Sequence, residues 1–324
     1  MTSYTFRRPA MYLNASEIAA VKGRLGRQPW ARAYDRLLDS AAVAMRRAPD
    51  PVRGDYAPAD RPRLFRDCSA VRDLGLTFAL TGEEPYARKA AACLLTWSGA
   101  MSPRFPSPSS VPDLCAALAA MFYGVDLIWR SRGFTGEDKA RLAAWADGLA
   151  CDLKERSPAP CDPAAGWALT FFAASALVVE DPAWFDLAFD GFRPVLAAQI
   201  EPDGTVSRQQ GRDEGLRDSL LTLKALTCVA EIARHQGIDL YNAGVDGRSL
   251  KAACLRHAPF LLRDEAWPGA ERVVGESHAE LYEIAFRVWG EAAFAEVLRR
   301  RGRNAWDGRI LGPVVLTHGA ELNG

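Results

Sequence analysis

The densest run of reactive side chains in the sequence is Arg208, Arg212, Asp213, Glu214, Arg217 and Asp218. On a helix, the four-residue spacing puts Asp213 beside Arg217 and Glu214 beside Asp218. Guanidinium forks bind carboxylate or phosphate, and a carboxylate next to them can move protons. The run therefore reads as a groove wall in which Arg212, Asp213 and Arg217 hold an anionic group and Glu214 acts as acid or base. The competing reading is a solvated first turn with a surface ion pair, worth about 0.3–0.5 kcal/mol. His278 and Tyr282, one helical turn apart, form a second group with Glu283 alongside. Histidine titrates near neutral pH, so His278 is a candidate base or acid, with Tyr282 able to share its face. A lone histidine at a helix start is also often a cap. His235 precedes Gly237 at a helix end, where a cation complements the helix dipole.

Trp167 follows a proline turn and offers a flat face to a sugar ring or another planar ligand, with core packing as the alternative. Asp162 is the ionisable residue of that turn. The run Asp162-Pro163-Ala164-Ala165-Gly166 is small and dry, which suits a less polar substrate. No metal is expected. The seven cysteines (Cys68, Cys93, Cys115, Cys151, Cys161, Cys228, Cys254) are scattered, without a paired spacing, and read as small apolar groups. The phosphate-cradling, zinc-hydrolase and nucleophile-elbow motifs are missing, which disfavours nucleotide, zinc and serine-triad chemistry. No cofactor is implied.

These groups need helices to position them. Alanine- and leucine-rich segments with helical periodicity recur, and period-two alternation hardly occurs, so an all-α chain is expected. Asn14 and Ser16-Glu17 offer caps for a first helix, and residues 50–62 form a loop. Helices are expected at 67–80, from about Pro85, and at 111–131, 135–154, 165–179, 182–200, 212–236, 247–263 and 277–300, with one short strand over 311–316. Short connections favour antiparallel hairpins closing into a ring or superhelix, held in one domain over residues 1–324. Lys plus Arg and Asp plus Glu both number 40, so no overall field recruits nucleic acid or an acidic membrane. Residues 1–9 lack the apolar run of a secretory signal, and Ala168–Val179 is too short to span a bilayer, so a cytoplasmic chain is expected.

Several segments together resemble the alginate-lyase-like polysaccharide lyases. Leu80-Thr81-Gly82-Glu83-Glu84-Pro85-Tyr86-Ala87-Arg88-Lys89-Ala90 with Leu95-Thr96-Trp97 is similar to that family's TGD-x-x-YA-x-KA hairpin. Gln199-Ile200, Asp203-Gly204 and Gly211-Arg212-Asp213-Glu214 resemble QI-x-x-DG and GRDQ-x-H. Ala230-Glu231-Ile232-Ala233 with Gln236-Gly237-Ile238-Asp239-Leu240-Tyr241 resembles AE-x-A-x-x-QG-x-DLY, and Leu281-Tyr282-Glu283-Ile284-Ala285-Phe286 resembles YEIAY. Met11-Tyr12-Leu13 and Ser16-Glu17-Ile18 resemble the opening helix. The resemblance implies an incomplete α/α toroid with a groove and β-elimination of uronate polysaccharides. In that chemistry one residue removes the proton next to a carboxylate and an Asn or Arg neutralises that carboxylate, while a Tyr or His handles protons.

At the positions this implies for catalysis the chain departs. Asp162-Pro163-Ala164 stands where the family has Asn-Asn-His, Leu216 where it has the histidine of GRDQ-x-H, and Phe286 where it has the second tyrosine of YEIAY. The leading expectation is therefore an acid–base enzyme repurposed for elimination, dehydration or cyclisation of a small molecule in a cytoplasmic pathway, a biosynthetic one among the options. A uronate oligosaccharide lyase and a non-catalytic ligand-binding toroid are the alternatives.

Overall fold

The structure is a computed structural model that describes residues 5–207, 209, 214–263, 265–268 and 279–322. Its helices are α1 (Ala15–Lys22), α2 (Trp30–Arg46), α3 (Arg61–Thr81), α4 (Glu84–Ala100), α5 (Val111–Ile128), α6 (Gly136–Glu155), α7 (Ala164–Val179), α8 (Ala183–Gln199), α9 (Gly215–His235), α10 (Leu250–Leu262), α11 (Leu281–Trp289), α12 (Ala292–Arg301) and α13 (Val314–His318). The one sheet among the described residues is a hairpin of Gly244–Val245 and Arg248–Ser249. At α1 the Asn14 side chain accepts the Glu17 N–H at 3.0 Å, and Glu17 accepts the Asn14 N–H at 2.9 Å. That capping box satisfies two donors that the first turn leaves open.

Two layers follow from where the apolar residues lie. In α2 the buried residues Trp30, Leu37, Ala41 and Ala44 form a single stripe, the pattern of a helix with one wet face. Almost every residue of α5 and α7 is buried, so these are inner helices, apolar all round. α3, α5, α7 and α9 pack in succession, and α4, α6, α8 and α10 carry the chain back between them. Each inner helix therefore starts at the same end of the molecule. α3 and α5 touch backbone to backbone. A Cβ on Gly75 would lie 2.6 Å from the Gly124 carbonyl oxygen, and one on Gly124 would lie 2.4 Å from that of Val71, so only glycine allows this approach. α13 packs on α1, α2 and α11. The architecture is the all-α incomplete toroid.

Local expectations are corrected in four places. α3 begins at Arg61 rather than 67, because Pro62 sits in its first turn, where a missing N–H costs nothing. The helix expected over 277–300 is broken within its described part. Gly290, at φ 66°, ends α11, and α12 starts at Ala292. The strand expected over 311–316 is instead a turn leading into α13, where the Leu316 N–H bonds the Pro313 carbonyl at 2.9 Å. Finally, Pro108–Ile128 is long and apolar enough to cross a membrane, contrary to the expectation that every apolar run is too short. It is mostly buried between α3 and α7, the position of a core helix.

Candidate functional site

The segment before α13 is tied to α3 and α9, and buried Asp307 organises it. Its carboxylate accepts the backbone N–H groups of Arg309 at 2.9 Å, Ile310 at 3.1 Å and Leu311 at 2.8 Å. Lys224 of α9, itself buried, reaches Asp307 at 3.3 Å and bonds Glu280 at shorter range. Burial works against the Asp307 charge, but Lys224 and these N–H groups outweigh it and hold the carboxyl well below its usual range. Glu280 goes the other way, because burial exceeds the help it receives from Lys224. Arg72 of α3 bonds Asp73 at 2.8 Å and the carbonyls of Asp307 and Ile310 at 3.2 and 3.3 Å. The turn that carries Arg309 is thus fixed from several sides.

Arg309 is delivered to the end of the ring where the inner helices start. There Arg61, at the start of α3, pairs with Asp113 in the first turn of α5 at 2.9 Å, and Arg309 approaches the same carboxylate at 3.9 Å. Both guanidiniums lie over the Phe65 ring, at 5.4 and 5.7 Å from its centroid. Two cations share one carboxylate. Burial lowers the Arg309 pKa, and the charges of Arg61 and Arg217 push it the same way. Tyr56 is buried beside this cluster, and burial, then the Asp113 charge, push its hydroxyl up to about 12. Arg61, Phe65, Asp113 and Arg309 are candidate site residues that sequence reasoning did not single out. Asp113 is 196 positions from Arg309 in the chain, and no local pattern joins them.

Of the residues singled out from sequence, Glu214 and Arg217 stand at the exposed start of α9 and pair with each other. Arg217 also bonds Asp218 at 3.1 Å. Arg212, Asp213 and His278 lie outside the described residues. Asp162 fastens the start of α7: its side chain accepts the Ala164 N–H at 2.8 Å, and the Gln199 amide holds its carbonyl at 2.6 Å. Trp167 and Tyr282 are corrections. Trp167 is 4% exposed within the core of α7, which leaves its indole no free face for a ligand. Tyr282 is wholly buried; its hydroxyl donates to the Cys254 carbonyl at 3.0 Å and its ring packs edge-on against Phe294. Burial raises its pKa well above the ordinary value, and both its ring and its hydroxyl are taken up in packing.

Residues that carried the strongest sequence resemblance assemble elsewhere, at the far end of α9, about 25 Å along the helix from Glu214. Buried Glu231 accepts from the Tyr241 hydroxyl at 2.6 Å, from Arg234 at 2.6 Å and from Arg287. Glu17 accepts from His235 at 2.7 Å, Arg234 at 2.5 Å and Arg287 at 3.2 Å. Glu17, Glu231 and His235 place their ligand atoms within 4.8 Å of one another, close enough to surround a cation. The guanidiniums of Arg234 and Arg287 already neutralise both carboxylates, so a metal ion would meet repulsion there. The group is a lock that ties α1, α9 and α11 together.

The alginate lyase family matches residues 30–267. The fold is shared with an alginate lyase from Bacteroides ovatus, at a TM-score of 0.81 and 20% identity, covering 97% of this chain and all of that one. It is shared with alginate lyase A1-III from Sphingomonas species A1 at 0.77 and 17% identity, covering 98% of this chain and 100% of that one. A histidine-to-alanine variant of A1-III complexed with a tetrasaccharide matches at 0.76 and 19% identity, over 96% of this chain and 97% of the other. No curated protein matches the sequence at a significant level. At such identities the structures speak for the fold, while the family match covers most of the chain: the protein belongs to the alginate lyase family.

Proposed function

We propose that the chain is a polysaccharide lyase that cleaves uronate-containing chains by β-elimination at the end of the ring where the inner helices begin. The supporting observation is that Arg61 and Arg309 share the single carboxylate of Asp113. A guanidinium held beside another guanidinium, with half a counter-ion, gains from an arriving carboxylate, whose negative charge relieves the repulsion. β-Elimination needs this feature. Neutralising the uronate carboxylate stabilises the charge that develops when the neighbouring C–H proton leaves, and the electron pair then expels the glycosidic oxygen. Glu214, exposed and paired with Arg217, is the candidate for proton movement on the facing helix.

This reading sets aside the less polar small-molecule substrate expected from the Asp162–Gly166 run, since the charged cluster favours a polyanion. The tetrasaccharide seen with an A1-III variant supports an oligosaccharide as the ligand class. Mass analysis of digests of alginate and of glucuronan tests the proposal. Elimination gives new ends that lack one water relative to hydrolysis products, whereas unchanged polymer, or hydrolytic ends alone, rejects it.

A further inference from the structure

A basic cavity lies beside the residues that flank the turn carrying Arg309. It encloses about 270 Å³ between α2 and the residues flanking α13, and Arg32, Arg36, Arg303, Trp306, Pro313 and Val315 are among its lining residues. No acidic residue lines it. Arg303 is held from behind by buried Glu283, with its Nε at 2.7 Å from one carboxylate oxygen. The charges of the other two arginines are not spent in this way. Arg36 lies over the Trp306 ring, 4.6 Å from its centroid, and donates to the Asn304 carbonyl at 3.2 Å. Arg32 makes no ion pair among the described residues. Asp35 and Asp39, exposed on the same helix, neither line the cavity nor pair with these arginines.

We infer that this cavity is an anion-binding site distinct from the proposed groove, taking a small molecule that carries a carboxylate or a phosphate. Three guanidiniums face it with one carboxylate among them, so the site carries excess positive charge that an oxyanion neutralises through charge-assisted hydrogen bonds. Arg303 and Arg36 are held in place by Glu283 and Trp306, which limits the ordering cost of binding. The volume suits a compact ligand rather than a polymer segment, and Pro313 and Val315 give it an apolar wall.

Isothermal titration calorimetry with inorganic phosphate, glucuronate and glucose tests this on the wild type and on Arg32→Gln, Arg36→Gln and Arg61→Gln variants. The expected result is a saturable site for phosphate or glucuronate in addition to any binding of glucuronate at the groove, and none for glucose. That site persists in Arg61→Gln, which separates it from the groove, and it weakens by about tenfold in Arg32→Gln and Arg36→Gln, the loss of one charge-assisted contact. The relative affinity of phosphate and glucuronate names the oxyanion. Thermal denaturation of each variant guards against misfolding, and Arg32, exposed on α2, is the milder change. Lack of saturable binding by either anion, equal binding of glucose, loss of the site in Arg61→Gln, or unchanged binding in both α2 variants overturns the inference.

Discussion

Replacing Glu17 by Gln probes the electrostatic part of the lock at the far end of α9. Burial alone would raise the Glu17 pKa, but the hydrogen bond and charge of His235, the Asn14 N–H and the Arg234 charge outweigh it and bring the group from 4.5 to about 2. That displacement corresponds to about 3 kcal/mol of folding stability at neutral pH, an upper figure because the side chain is 19% exposed. The sign follows from linkage. A carboxyl with a depressed folded pKa stabilises above its unfolded pKa, and that contribution is lost as pH falls from about 4.5 towards 2. Glutamine can keep an oxygen on the Asn14 N–H, but its NH2 then faces Arg234 and Arg287, so the charge and the two hydrogen bonds it receives from them are lost together. Differential scanning fluorimetry across pH 7 to 3 should show Glu17→Gln melting about 5 °C below wild type at neutral pH, with the gap narrowing as the medium becomes acidic. A constant gap at every pH, or none at pH 7, would refute the assignment of this stability to the Glu17 charge.

Other substitutions probe the remaining parts. Lys224→Met leaves Glu280 and Asp307 buried without their cation, and chemical denaturation should show a loss of about 3–5 kcal/mol, partly recovered when Glu280→Gln is added. Gly124→Ala drives a methyl into the Val71 carbonyl, so stability should fall by about 3 kcal/mol or the protein should accumulate as aggregate, seen by solubility and melting temperature. Tyr282→Phe should lower stability by about 1 kcal/mol and leave turnover within about twofold, because only the bond to Cys254 is lost. Glu214→Gln should reduce turnover by about a hundredfold with the melting temperature unchanged, as measured by initial rates.

The fold was legible because its signals are local. The Asn14/Glu17 capping box, the Gly82 stop and the apolar stretches of α5 and α7 each announce an element within a few residues. The break at Gly290 was missed because helical periodicity continues on both sides of a single left-handed residue. Site reading was poorer for a physical reason. Reactivity inferred from type and spacing ignores burial, so Tyr282 and Trp167 looked available while the ring of helices encloses both. Conversely, the Arg61–Asp113–Arg309 cluster draws on three distant segments and appears only once the C-terminal strap crosses the helix ends. Motif residues such as Glu231 and Tyr241 gave the family correctly because they build the lock that holds the ring.

The central claim is that the two arginines around Asp113 receive a uronate carboxylate during elimination. The most direct measurement is the ultraviolet absorbance of the conjugated double bond that elimination creates, followed with alginate and glucuronan for the wild type and for an Arg61→Ala, Arg309→Ala double variant shown to be folded. The account predicts a steady rise with at least one polymer for the wild type and a loss of about a hundredfold or more in the double variant. An equal rate in the folded double variant, or no rise with either polymer for the wild type, contradicts it.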